Sequence, residues 1–151
     1  SLNGIASKKK MYVKIDKTDG SKIVKLGELK KIANKLIRKS KSSVIVEGHL
    51  GCDIKLAILR VLVLRLHPYE IEKRLAKRDY PKFKLGQNMM AETLDYCTIN
   101  SEKNYGEKKV YEIDTTNLGK AALFAEFEKF ACADGKQLEK FKPKADWTGI
   151  L

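Results

Sequence analysis

Apolar residues alternate with basic ones in two short stretches near the start of the chain, residues 11–15 (MYVKI) and 22–26 (KIVKL). The intervening DKTDG ends in the Asp-Gly signal of a tight turn, so a small strand–turn–strand unit is predicted. From residue 28 to 39 the period lengthens. Leu29, Ile32, Ala33, Leu36 and Ile37 recur at three- and four-residue spacing with lysines between them, the stripe of an amphipathic helix, and the stripe stops at the polar loop 40–43.

Beyond residue 43 the pattern is denser. VIVEGH (44–49) and LRVLVLRL (59–66) are crowded with Val, Ile and Leu, which suits strands buried on both faces of a parallel sheet. Pro68 then opens a helix that runs to about residue 78, since a proline in the first turn sacrifices no hydrogen bond. Residues 87–104 form a second helical stretch, VYEIDTT (110–116) a further strand, and AALFAEFEKFA (121–131) a last helix. Strand and helix text alternating in this way predicts an α/β fold with right-handed crossovers around a mostly parallel sheet. Repeats and low-complexity tracts are absent from the sequence.

The chain of 151 residues, 43% hydrophobic, suffices for one domain with a core. No apolar run approaches the roughly 20 residues of a spanning helix, and SLNGIASKKK lacks the apolar segment of a signal peptide. The expectation is a soluble, cytoplasmic protein with no membrane partner. Cys52, Cys97 and Cys132 are scattered, odd in number and outside any C-x-x-C pair, so buried reduced thiols are expected rather than disulfides or a zinc site. The net charge of +12 is uneven: residues 1–43 hold 13 Lys/Arg against 3 Asp/Glu, and the remainder holds 18 against 16. A front carrying +10 attracts polyanions, whether nucleotide, RNA or membrane surface. A lysine-rich solvated face is the alternative.

Two constellations carry candidate chemistry. Glu47 and His49 stand two apart at the carboxyl end of a predicted strand, where open α/β sheets bind ligands, and so project to one side of an extended chain. A carboxylate there suits Mg²⁺, which keeps several waters and takes only one or two carboxylates; a solvated loop with an incidental acid and histidine is the alternative. Glu70, Arg74 and Arg78 recur at four-residue spacing on one helix face. The arginines could clamp phosphates in fork geometry, or Glu70 could simply pair with Arg74 on a surface helix. Asp79, Tyr80, Pro81 and Gly86 make the following segment a mobile-loop candidate. Phe124, Phe127 and Phe130 are expected in the core, Trp147 as an anchor for the tail, and His67 as a loop histidine.

VIVEGH, VLVLRLHPYEIEKRLAKRDY, N-x-x-AE at residues 88–92, VYEIDTT and FKPKADW together resemble the adenylate-kinase-like branch of the P-loop nucleoside monophosphate kinases, and within it the archaeal putative adenylate kinase family and the eukaryotic nuclear adenylate kinase implicated in small ribosomal subunit maturation. The resemblance covers residues 1–147 in order. It implies a P-loop NTPase-like three-layer α/β fold and a single nucleotide-kinase-like domain using ATP, AMP and Mg²⁺, with residues 1–43 on the acceptor-nucleotide side, 77–87 as the lid and 141–151 as a C-terminal tail. Glu47 and His49 fall on the family's acid-x-His motif, Glu47 orienting Mg²⁺ through water and His49 near the phosphates. Glu47 stands where the eukaryotic relatives resemble one another in carrying Asp. Arg78 falls on the lid arginine that contacts ATP phosphates, with Arg74 one turn earlier, and Thr116 and Asn117 fall in the loop beside the adenine.

One departure is large. The phosphate-binding pattern G-x-x-x-x-G-K-[ST] occurs nowhere in the sequence: Gly119-Lys120 and Gly135-Lys136 lack both the preceding glycine and the Ser/Thr. The family places that motif ahead of Ser1, so the first strand, the P-loop, its helix and the second strand are expected to be missing, roughly 35 residues by the size of a βαβ unit. Little or no kinase activity is the expectation for the 151 residues, together with sheet edges open to pairing or homo-oligomer formation. Two non-catalytic readings stand beside the kinase: a basic RNA-binding module, and an interaction protein that handles a ribosomal protein.

Overall fold

The computed structural model of the protein describes residues 1–15, 20–77 and 81–150. It opens with a helix the apolar pattern had not marked, α1 (Leu2–Lys8), whose N-terminus is capped by the Ser1 hydroxyl accepting from Gly4 N–H. Strands β1 (Tyr12–Ile15) and β2 (Lys22–Val24) pair antiparallel, as their alternation predicts, while the Asp-Gly turn expected between them lies outside the described residues. Helix α2 (Leu26–Lys39) follows on the expected stripe and buries Leu29 and Ala33. With Leu2, Ala6, Met11 and Tyr105 these residues form the first of two apolar cores among the described residues.

Strand β3 (Val61–Arg65) and strand β4 (Val110–Asp114) pair in parallel, Val61 opposite Val110 and Arg65 opposite Asp114. Between them run α3 (Pro68–Ala76), α4 (Lys82–Thr93) and α5 (Tyr96–Tyr105). Helix α6 (Lys120–Cys132) and a 3₁₀ segment, Gly135–Phe141, complete the second core, in which Phe130 meets Phe141 edge to face and Tyr111 at a tilt. The fold is α/β, of P-loop-like element order, with a small parallel sheet. No helix among the described residues is long and apolar enough to cross a membrane.

Three sequence expectations need correction. Residues 44–47 form no strand: Val44 is 43% and Ile45 74% exposed, and the backbone bond recorded for this stretch is Leu2 N–H to Glu47 O at 2.9 Å. Apolar text becomes a buried strand only when a ladder partner satisfies its backbone, and among the described residues β3 pairs with β4 alone. The single helix expected over 87–104 is two helices. Asp95 takes a left-handed conformation at φ 52° because Arg65 reaches into the break, donating to Glu92 O at 3.1 Å and to the Asp95 carboxylate. Of the phenylalanine triplet, Phe130 is in the core, whereas Phe124 is 62% exposed.

Candidate functional site

Gly48 carries the chain from the unpaired stretch into a 3₁₀ turn, His49–Gly51, at φ 134°, a region open to glycine and almost closed to other residues. A Cβ at Gly48 would stand 3.2 Å from Leu2 Cβ, so α1 packs directly on this turn. Glu47 and His49 are both exposed, and His49 is not on an extended strand but at the start of that turn. His49 and Leu50 line a cavity of about 410 Å³ with Asn3, Tyr12, Lys22 and Ile23, walled by α1 and the β1–β2 hairpin. Lys22 Nζ also lies 5.1 Å from the centre of the Tyr12 ring. Glu47 is not among the lining residues. The lining thus combines apolar side chains with the His49 imidazole and the Lys22 side chain.

The other candidates gather at the carboxyl end of the β3–β4 pair. Thr115 N–H and Oγ1 both reach Arg65 O, at 2.8 and 2.7 Å. Thr116 accepts from His67 N–H at 3.0 Å and donates to Asp114 at 2.5 Å, so its hydroxyl is engaged in holding the two strand ends together, while Asn117 is exposed beside it. His67 caps α3, its Nδ1 accepting from Tyr69 N–H at 3.3 Å. Its ring meets Trp147 edge-on at 4.9 Å, so the tail is anchored as expected, and the Trp147 indole N–H is buried without an acceptor among the described residues. Arg74 is exposed in the last turn of α3. Glu70 pairs with Lys73 at 2.5 Å rather than with Arg74, and that bond holds its carboxyl below the usual range. Arg78 and part of the proposed lid lie outside the described residues; Lys82 to its C-terminal side begins α4.

Sequence reading gave no role to the polar centre between these regions. Arg65, 1% exposed, bonds Glu92 through Nε at 2.6 Å, Glu112 through Nη1 at 2.7 Å, and the Asp95 carboxylate through Nη2. Glu112 also receives Thr98 Oγ1 at 2.5 Å and the Lys144 and Ala145 amides. Burial works against the Arg65 charge, yet the bonds it donates to Glu92 and Glu112 overcome this and raise the guanidinium above its ordinary range. The available signal was charge set within apolar strand text, Arg65 near the end of LRVLVLRL and Glu112 in the middle of VYEID.

For Mg²⁺, no group of three or more His, Cys, Asp or Glu side chains able to hold a metal ion occurs among the described residues. Mg²⁺ arriving on a nucleotide takes only one or two carboxylates, and Glu47 is an exposed carboxylate outside the cavity lining.

No family-level sequence profile matches the chain. Individual proteins do. A putative adenylate kinase of Methanothermobacter thermautotrophicus is 44% identical over 72 residues, 48% of this chain and 41% of the relative. The putative adenylate kinase of Methanocaldococcus jannaschii is 32% identical over 141 residues, 93% of this chain and 73% of the relative. The chain belongs to the archaeal adenylate-kinase-like family. The Archaeoglobus fulgidus member is 33% identical over 71% of the chain and 58% of its own length. Two of these three family members are thus matched over less than two thirds of their length.

Proposed function

We propose that the chain supplies the acceptor side, lid and tail of a nucleotide-kinase-like domain that transfers the γ-phosphoryl group of ATP to AMP or to water in the cytoplasm, in an organism's small ribosomal subunit maturation or nucleotide balance. The observation that carries this reading is the cavity of about 410 Å³ lined by both His49 and Lys22, beside the basic front of the chain. AMP would enter there, its phosphate drawn by Lys22 and His49. ATP would lie at the carboxyl end of β3–β4, with Thr116 and Asn117 beside its base and Arg74 and Arg78 over its phosphates. Mg²⁺, held by Glu47 through water, would neutralise phosphate charge. His49 then orients the reacting phosphate, and Arg74 and Arg78 offset the phosphate charge. Phosphoryl transfer depends on positioning and charge stabilisation, and a G-x-x-x-x-G-K-[ST] cradle is not in the sequence, so the 151 residues bind nucleotide better than they turn it over.

Calorimetric titration with AMP tests the reading. Lys22→Ala and His49→Ala should each weaken AMP binding several-fold with unchanged folding; equal affinity in all three proteins would remove the acceptor site. A coupled ATP-plus-AMP assay on the 151 residues should give turnover far below the enzyme median of about 10 per second.

The +10 front supports a second reading, a basic module that binds ribosomal RNA or a ribosomal protein without catalysis. RNA affinity falling steeply with salt and indifferent to ATP would favour it; protein binding that persists at high salt would favour the ribosomal-protein form.

A further inference from the structure

Cys52 and Cys97, 45 residues apart in sequence, bring their sulfurs to 3.7 Å. Cys52 is buried at the end of the His49–Gly51 turn, with Sγ 3.0 Å from the His49 carbonyl oxygen. Cys97 is half-buried in the first turn of α5. The two segments are already fastened around the pair: Asn104 donates to Cys52 O at 2.8 Å, Tyr96 to Asp53 at 2.9 Å, and Tyr105 to Ile54 O at 2.5 Å. A disulfide holds its sulfurs about 2.05 Å apart, so closure asks for side-chain rotation within a framework that is set.

The two thiols are unlike. The hydrogen bond from Cys52 draws Cys97 below the ordinary thiol range, and giving that bond, together with burial, pushes Cys52 far above it. Reactivity follows the thiolate and its access to solvent, which makes Cys97 the attacking sulfur and Cys52 the resolving one. Cys132 is exposed at the end of α6, against the expectation of a buried thiol.

We propose that Cys52 and Cys97 form a reversible disulfide on exposure to a hydroperoxide, tying the turn that carries His49 to α5. Cys97 sulfur attacks the peroxide oxygen, the O–O bond breaks, and Cys97 becomes a sulfenic acid while the remaining oxygen leaves as water or alcohol. Cys52 sulfur then attacks Cys97 sulfur, expelling hydroxide, which takes the Cys52 proton and departs as water. Two thiols are oxidised and one peroxide is reduced. The step is independent of any nucleotide chemistry.

The test treats the Cys132→Ser protein with hydrogen peroxide and reads intact mass, peptide map and melting temperature. A loss of two hydrogens, a Cys52–Cys97 linked peptide, a raised melting temperature and reversal by dithiothreitol are expected. In Cys52→Ser, dimedone should trap Cys97 as sulfenic acid; in Cys97→Ser, Cys52 should remain unlabelled. Unchanged mass, oxygen addition to Cys97 with Cys52 still reduced, or preferential labelling of Cys52 would each overturn the proposal.

Discussion

The guanidinium of Arg65 and the carboxylate of Glu112 meet at 2.7 Å across adjacent parallel strands, each almost wholly buried. The register explains the meeting: Glu112 lies opposite Val63, and Arg65, two residues further along β3, projects on the same face. Glu92 and Asp95 complete the set, so β3, β4 and the α4–α5 junction are bound through one side chain. Replacing Arg65 with Met leaves three carboxylates without their partner. Urea unfolding should show a loss of about 3–5 kcal/mol, the usual cost of breaking a buried ion pair on one side. Should the Met variant fail to fold, Arg65→Lys, which keeps the charge but loses the fork, should fold with a smaller loss.

The phenylalanines of α6 separate by burial. Phe130→Ala should cost about 3–5 kcal/mol, because its ring packs on Tyr111 and Phe141. Phe124→Ala, at a position 62% exposed, should change stability by about 0.5 kcal/mol or less. Thermal unfolding of the two variants side by side decides this, and equal losses would contradict the second core.

Gly48→Ala tests the turn that presents His49. Its φ of 134° and the 3.2 Å approach to Leu2 Cβ should together cost about 1–3 kcal/mol. AMP affinity, measured by calorimetry, should fall with it if the turn shapes the acceptor cavity.

The rate of Cys97 alkylation should rise with pH to a plateau whose midpoint lies below the ordinary thiol value, since the Cys52 hydrogen bond stabilises the thiolate. Glu92 and Asp53 oppose that stabilisation and Arg65 assists it. In Cys52→Ser the midpoint should move, whereas in Cys132→Ser it should not. The sign for folding follows: a depressed thiol pKa adds stability above the unfolded value, and this is lost as pH falls through the folded one. The raised Cys52 acts in the opposite direction and in a different window, removing stability as pH rises above the unfolded thiol value.

Much of the element order was legible because local period carried it. The α2 stripe, Pro68 at a helix start and the apolar runs of β3 and β4 mark their elements without tertiary help. The failures lie where a distant partner decides. Val44 and Ile45 read as buried strand but lack a ladder among the described residues, and the break at Asp95 is imposed by an arginine 30 residues away. Of the candidate site residues, His49 lines a cavity, Thr116 is engaged in strand-end bonds, and Arg78 falls outside the described residues. The pairing of Cys52 with Cys97 had no local signature, since it depends on how the His49 turn docks on α5.

Trp147 is the only tryptophan in the sequence, and it sits against His67 at the carboxyl end of the parallel strands. Its emission is therefore a built-in gauge of that end of the molecule: a ligand that displaces the tail or stacks on the indole changes colour or intensity there, with no label attached and no second fluorophore of the same kind to blur it.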